Sequence, residues 1–353
     1  MIQNLVQSWP APTSPKPVII IGTGGIVRDA HLPAYRQAGF TVSGVFDLDH
    51  ERAKTLAKDW DIPHVFDSME AVLRNGTNVV YDLAVPPHAI VGILETLPHG
   101  AAVLIQKPMG ADLAQAREIR RICRGRALKA GMNFQLRFSP MMMAVRDAVN
   151  KGLLGDLLEI EVHLNIYTPW DLFPFLIPMP RVEIAVHSIH YLDTIRAIAG
   201  NPKGVFARTM GDPRAKDFAQ TRTSVILDYG SKIRGLMSIN HNHRCGRKFQ
   251  DAHFRIEGSK GAMIVKLGVC YDYPNGEADE LWLCQNGEAW QQIPLDGGWF
   301  IESFMGSMRN VQRFDAGEDD TLFAGVEDGF ETMALVEACF EANELPSVPL
   351  KLD

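Results

Sequence analysis

The stretch PVIIIGTGGIV, residues 17–27, limits what this chain can fold into more than any other part of it. The run VIII reads as a strand buried on both faces, and Gly22, Gly24 and Gly25 follow it at once. Gly22 permits a tight turn. Gly24 lets the backbone approach a pyrophosphate at the N-terminus of the helix predicted in VRDAHLPAYRQAG. The third fingerprint position holds Val27, where glycine or alanine normally allows close packing of helix on strand, so the match alone is not specific. Asp47 adds a second signal. It ends the predicted strand TVSGVFD (41–47), 25 residues after Gly22, where a carboxylate accepts hydrogen bonds from an adenosine ribose. Together the two signals favour a dinucleotide over a glycine turn beside a surface aspartate, with Gly22, Thr23, Gly24, Gly25, Ile26, Val27 and Asp47 as the cofactor-binding set.

Asp47 also bears on which dinucleotide. A carboxylate facing a 2′-phosphate at about 4 Å costs on the order of 4 kcal/mol per unit charge at an effective dielectric near 20, so NAD is expected over NADP. Arg52, five residues on, is the group that could reach a 2′-phosphate and carries the second reading.

Short apolar runs continue to alternate with helix-like segments: VVYDLAV (79–85) before HAIVGILETLPHG, then AVLIQK (102–107) before a helix over about 111–127. This predicts a parallel sheet flanked by helices. After GMNFQLRFSP (131–140) the pattern changes to longer alternating stretches: LLEIEVHLNIY (157–167), TSVILDYG (223–230), KIRGLMSINHNH (232–243) and HFRIEG (253–258). These suit an antiparallel sheet covered on one face. The fold class is therefore α/β. A short N-terminal arm (1–16) precedes a Rossmann dinucleotide-binding domain (17–136), and an α+β domain (137–353) follows with a large open, mostly antiparallel sheet and a closing helix over 326–343.

At 353 residues the chain is long enough for two cores. A formal charge of −7, with no basic or aromatic-interleaved run, argues against nucleic acid as a partner. The five scattered cysteines, free of CxxC spacing, read as reduced thiols in a cytoplasmic protein. Neither an export signal nor a stretch of membrane-spanning length is expected.

Ligands of open α/β sheets bind at the carboxyl ends of the strands. VPPH (85–88) and IQKPMG (105–110) stand at such ends, which adds Pro86, His88, Gln106 and Lys107 to the cofactor-binding set. Lys107 would lie beside the nicotinamide, where an ammonium can hold a substrate hydroxyl. The other constellation is RVEIAVHSIHYLDTIRAIAG (181–200), read as one helix. At 100° per residue Glu183, His187, His190 and Asp193 fall within an arc of about 120°, opposite Ile184, Ile189, Leu192 and Ile195. Arg196 breaks the pattern by pointing to the apolar side. Three readings are open: a dehydrogenase base with its orienting groups, a metal site completed by His241 or His243, or a hydrogen-bonded polar face. Two histidines and two carboxylates on one face favour a functional reading over the polar face; no resident metal is expected, although His187, His190, His241 and His243 keep the metal-dependent reading open.

These residues resemble the glucose-fructose oxidoreductase, inositol 2-dehydrogenase and MocA (Gfo/Idh/MocA) family from residue 17 onward. The resemblance rests on GTGGIVRDAHLPAYRQAGF, FDLDHERA, VPP, QKP where the family usually has EKP, NFQLRFSP, HSIHYLD and EDGFETMALVEACFEAN. It implies that Lys107 and His190 face substrate beside the nicotinamide. The aspartate often found four residues before that histidine is Val186 here, so His187 or Glu183 is the substitute to look for. It also implies substrate contacts and a subunit interface on the open sheet, hence a homodimer or homotetramer.

The expected activity is NAD-dependent oxidation of a secondary alcohol or lactol of a sugar or polyol. His190 would take the hydroxyl proton, Lys107 polarise the oxygen and Asp193 orient His190. Asn133, Arg137, His187 and Trp170 complete the substrate set, the last as an aromatic face in the loop YTPWDLFPF (167–175). The alternatives are a redox-neutral lyase, isomerase or glycoside-cleaving enzyme that keeps NAD bound, and a non-catalytic sugar or nucleotide sensor.

Overall fold

In the computed structural model, which describes residues 4–273 and 275–351, the chain divides into two units. The first comprises Met1–Ala148 and Pro294–Met333, the second Val149–Ile293 and Ala334–Asp353. The division expected near 136 thus falls at 148, and residues 294–333 return to the first unit.

The first unit builds a five-stranded parallel sheet from β1 (Val18–Ile21), β2 (Val42–Phe46), β3 (Val80–Leu83), β4 (Ala102–Ile105) and β5 (Lys129–Met132), in the order β2-β1-β3-β4-β5. The VIII run of β1 is fully buried, as a strand covered on both faces must be. Helices α1 (Leu32–Ala38), α2 (His50–Asp59), α3 (Met69–Asn75), α4 (Pro87–Thr96) and α5 (Leu113–Gly125) connect the strands, and α6 (Pro140–Asn150) follows β5. Asp49, Ser68 and Asp112 cap α2, α3 and α5 by accepting backbone N–H groups, which gives those helices defined starts.

Val27 is buried in the same core as Val18, Ile20 and Val45. The helix that leaves the glycine turn passes through a π-helical turn at Val27–His31 before α1. The wider turn seats the branched side chain where the usual fingerprint has a small one.

In the second unit the alternating stretches become β6 (Leu157–Asn165), β7 (Gly204–Met210), β8 (Arg222–Asp228), β9 (Arg234–Asn240), β10 (Asp251–Gly258), β11 (Gly261–Lys266), β12 (Glu280–Gln285) and β13 (Gln291–Ile293). They form one sheet in the order β13-β12-β11-β10-β6-β9-β8-β7, antiparallel throughout except for the parallel pair β6 and β9. Burial alternates along β6, β8 and β10, so one face is covered. Between β6 and β7 lies α7 (Ile189–Ala199), preceded by a second π-helical turn at Glu183–Ser188.

The returning segment supplies α8 (Glu302–Asp315), and α9 (Val326–Glu344) closes the chain. Phe304, Met305, Met308 and Val311 of α8 join the core that holds Val18, Ile20, Ala102 and Leu104. At about 1.5–3 kcal/mol for each fully buried side chain, α8 is integral to the first unit. The approach is close: a Cβ on Gly131 would come within 2.5 Å of Val311 Cγ2. Residues 5–16 lie along the same segment, with Trp9 Nε1 donating to Asp319 and Lys16 N to Gln312. Among the described residues no helix is long and apolar enough to cross a membrane.

Candidate active site

The carboxyl ends of the parallel strands bring the first set of predicted residues together. In sheet order these ends carry Asp47 after β2, the glycine turn after β1, Val85 and Pro86 after β3, Gln106 and Lys107 after β4, and Asn133 after β5. Ligands of open α/β folds occupy the crevice where strand order reverses, here between β1 and β3.

Gly22 has φ +98°, and a Cβ there would stand 2.3 Å from the Ala84 carbonyl oxygen, so the turn is pressed against the chain leaving β3. A Cβ on Gly24 would meet nothing within 4 Å, and one on Gly25 only Asp29 Oδ2 at 3.7 Å. The backbone entering the helix therefore faces open space at the positive end of its dipole, which suits a pyrophosphate. Asp47 Oδ2 accepts from Thr23 N at 2.7 Å and Thr23 Oγ1 at 2.8 Å. Its Oδ1 accepts from Asp49 N at 2.9 Å and Arg52 Nη2 at 2.7 Å. Burial acts to raise this carboxyl, yet the hydrogen bonds from Asp49, Arg52 and Thr23 outweigh it and hold it below the usual range. The acid is thus ionised and fixed against the glycine turn, and Arg52 partly offsets its charge. These residues fit a dinucleotide: backbone amides for the phosphates and a carboxylate for the ribose.

Pro86 and His88 are exposed, the former as N-cap of α4. Gln106 folds back, its Oε1 accepting from Lys107 N at 2.9 Å, and so fixes the backbone from which Lys107 projects. Burial pushes the Lys107 ammonium down to about 8. At neutral pH it keeps its proton, but it gives it up more readily than a solvated lysine.

Sequence reasoning missed a buried network beside this edge. His31 Nδ1 lies 2.7 Å from Asp82 Oδ2, the Tyr35 hydroxyl donates to the same oxygen at 2.7 Å, and Asn133 Nδ2 stands 3.4 Å from His31 Nε2. His31 and Asp82 are wholly buried. Burial and then the Asp82 charge push the Tyr35 phenol well above its usual range, which keeps it a donor. The signal was present in VVYDLAV, where a carboxylate inside a two-sided buried strand demands partners. Arg137 is committed within the same unit, to the Phe323 carbonyl at 2.6 Å and to Asp328 at 2.6 Å.

The second unit brings together Glu183, His187, Trp170 and His241. Glu183 Oε1 accepts from Ser188 Oγ at 2.7 Å and stands 3.5 Å from His241 Nε2. His241 Nδ1 lies 2.8 Å from Thr168 Oγ1. The His187 and His241 ring centroids are 4.7 Å apart. Trp170 is buried, its ring 4.6 Å from that of Phe218, and its Nε1 donates to Asn242 at 3.0 Å. The expectation of one polar and one apolar helix face is corrected here. The π-helical turn breaks the 100° spacing between Glu183 and His190, and His190, Asp193 and Arg196 are buried along with Ile189, Leu192 and Ile195. Arg196 Nε donates to Asn201 Oδ1 at 2.6 Å. His243 belongs elsewhere, with Nδ1 3.0 Å from Asn165 Nδ2, and no group of three or more possible metal ligands is assembled among the described residues.

A glycine turn pressed on the neighbouring strand end and a fixed acid after β2 are the features of a dinucleotide-binding unit, and the half-buried Lys107 stands at the end of β4. Residues 16–134 match the model of an oxidoreductase family with an NAD-binding Rossmann fold, and residues 142–264 match the GFO/IDH/MocA C-terminal domain. Trans-1,2-dihydrobenzene-1,2-diol dehydrogenase of Homo sapiens is 33% identical over 258 residues, covering 71% of this chain and 74% of that protein. D-apiose dehydrogenase of Paraburkholderia graminis is 24% identical over 346 residues, 94% of this chain and 89% of that one. Among solved structures, an oxidoreductase from Agrobacterium radiobacter in complex with NAD+, L-tartaric acid and magnesium shares the fold at TM-score 0.76 and 18% identity, covering 94% of this chain and 96% of that one. Aldose-aldose oxidoreductase from Caulobacter crescentus, complexed with glycerol, does so at TM-score 0.78 and 16% identity, covering 94% and 98%. The chain belongs to the Gfo/Idh/MocA family of oxidoreductases.

Proposed function

We propose that this protein is an NAD-dependent dehydrogenase that oxidises a secondary alcohol or lactol of a sugar or polyol. The observation that carries the reading is Lys107, a lysine brought down to about 8 by burial at the carboxyl end of β4, in an oxidoreductase whose relatives include a dehydrogenase of the sugar D-apiose. NAD, when bound, supplies the acceptor for the hydride that leaves carbon. The chain's own residues do the rest. The backbone from Gly22 to Val27 holds the pyrophosphate, and Asp47 accepts from the ribose hydroxyls. Pro86 and His88 border the cofactor, and Gln106 sets the strand end. The Lys107 ammonium donates to the substrate oxygen and favours its negative charge as the proton departs. His190 takes that proton, a role worth typically about 10²- to 10⁴-fold. Asp193 orients His190, while Asn133, His187 and Trp170 shape the substrate's surroundings.

Asp47 favours NAD over NADP, since its carboxylate repels a 2′-phosphate; Arg52, held by Asp47, is not available to the phosphate without breaking that pair. Self-association follows the outward face of the eight-stranded sheet, where Leu158, Phe206, Met210 and Ile226 are exposed. Light scattering should give the mass of a dimer or tetramer; a monomer at all concentrations would remove this part.

The test of the function is a screen of sugars and polyols with NAD, followed by the near-ultraviolet absorbance of the reduced nicotinamide. Accumulating signal with a substrate supports net oxidation. Substrate consumption with no accumulation would replace it with the redox-neutral reading.

A further inference from the structure

The buried network of Asp82, His31 and Tyr35 is not used by the proposed reaction, and packing alone does not account for it. Asp82 lies on the same face of β3 as Val80, which belongs to the apolar core with Val18, Ile20 and Leu104. A leucine there would need no partners. A carboxylate with no exposed surface needs several, and among the described residues its Oδ1 has none.

The carboxylate does fix a ring. Asp82 Oδ2 accepts from the Tyr35 hydroxyl at 2.7 Å, so the approach of His31 Nδ1 to the same oxygen at 2.7 Å places the imidazole proton on Nδ1. Nε2 is then left as an acceptor. The group facing it, at 3.4 Å, is Asn133 Nδ2, which can only donate. Phe304 of α8 packs against the same ring with centroids 5.2 Å apart. Contacts thus run from β3, through the helix that follows the glycine turn, to the residue after β5. Asn133 carries them one strand further, since its backbone N donates to the Ile105 carbonyl at 2.7 Å, two residues before Lys107. In sheet order Asp47 marks the adenosine end of the crevice and the glycine turn its phosphates, which leaves the ends of β4 and β5 for the nicotinamide.

We infer that Asp82, His31 and Tyr35 are positioning residues for the nicotinamide half of the cofactor, a role that rests on the dinucleotide part of the proposed function. They hold the Asn133 amide, and with it the joined ends of β4 and β5, in the arrangement that this half requires. No contact between the buried groups and the ligand is needed: a site keeps its geometry when the side chains beneath it are themselves locked by hydrogen bonds.

Full-length protein is titrated by calorimetry with NAD and with ADP-ribose, which lacks the nicotinamide. The variant carrying His31→Phe, Tyr35→Phe and Asp82→Leu exchanges the network for apolar groups, so its Tm should stay near the wild-type value or rise. It should bind NAD about tenfold or more weaker and ADP-ribose within about twofold of wild type. Asn133→Ala should show the same split, and the three substitutions should add little to it. If the triple variant does not fold, Asn133→Ala still gives the split, and long-range nitrogen–proton NMR of the wild type should find His31 protonated on Nδ1. Equal losses for the two ligands, undiminished NAD affinity, or a His31 ring protonated on Nε2 alone would each overturn the assignment. A wild type that does not bind ADP-ribose would remove the dinucleotide reading, and this role with it.

Discussion

Lys107→Met should make the protein more stable while it destroys turnover. Methionine retains most of the lysine stem and removes the charge. The structure bounds the size of the effect: burial brings the ammonium from 10.5 to about 8, which sets an upper limit of about 3 kcal/mol on the cost of holding that charge, since Lys107 is only half-buried and engages other groups. Since folded proteins keep only about 5–15 kcal/mol, a gain approaching this limit is readily measured. The pH dependence has a definite sign. Below about 8 both folded and unfolded chains hold the proton, and the wild type bears the full cost. Between about 8 and 10.5 the unfolded chain binds the proton and the folded one does not, so wild-type stability rises with pH and the advantage of methionine shrinks away. Urea denaturation of both proteins at pH 7 and near pH 10 measures the gap, and initial rates with NAD measure turnover, which should fall by about 10²-fold or more. A variant less stable than the wild type at pH 7, or a gap that does not change with pH, would refute the reasoning.

The two glycines should separate fold from cofactor. Gly24→Val, whose side chain enters open space, should leave Tm nearly unchanged and abolish NAD binding by calorimetry, whereas Gly22→Ala should lower stability by about 2 kcal/mol or more through its positive φ and the Ala84 carbonyl. NAD should bind about tenfold or more tighter than NADP, and Asp47→Ala should narrow that ratio, both by weakening NAD and by releasing Arg52 to a 2′-phosphate; equal wild-type affinities would remove Asp47 from cofactor choice. His190→Asn should lower kcat by about 10²-fold or more with NAD affinity nearly unchanged, and combined with Lys107→Met it should be little worse than the poorer single variant, since both groups are assigned to one hydroxyl. Fully additive losses in kcat would assign them to separate steps.

The parts of the fold written in short-range pattern were legible. The run VIII followed by glycines located β1 and its turn, and alternation in LLEIEVHLNIY and HFRIEG located β6 and β10 within an antiparallel sheet. Features that depend on partners distant in sequence were not. Nothing local in 302–315 says that its apolar side belongs with β4 and β5 rather than with the strands just before it, so the first unit was drawn too short. The π-helical turns escaped because periodicity arguments assume 3.6 residues per turn, and one such turn sits between Glu183 and His190. The pairing of Asp82 with His31 and Tyr35 spans 51 and 47 residues, which no spacing rule covers. Asp47 was placed correctly at the end of β2, but its bond to Arg52, read from sequence as a separate phosphate ligand, is visible only in three dimensions.

The position of α8 in chain order has a consequence for how this protein is made. β5 ends at Met132, while α8 begins only at Glu302, after every strand of the second unit. On the ribosome the parallel sheet therefore emerges first and is completed last. The floor that Phe304, Met305, Met308 and Val311 will cover stays wet, and the arm at Trp9 has no Asp319 to hold, until residues 302–319 have been made. Meanwhile the strands β6 to β13 leave the exit tunnel beside an uncovered apolar surface, the circumstance in which nascent chains aggregate or recruit chaperones. The stretch Val149–Ile293 of the second unit interrupts the first, and a fragment ending at Ala148 would lack the helix that seals its own core. A circularly permuted chain that begins at Pro294 and continues through a linker into the arm would deliver α8 before the sheet it covers, and so should refold faster and with less aggregate than the natural order.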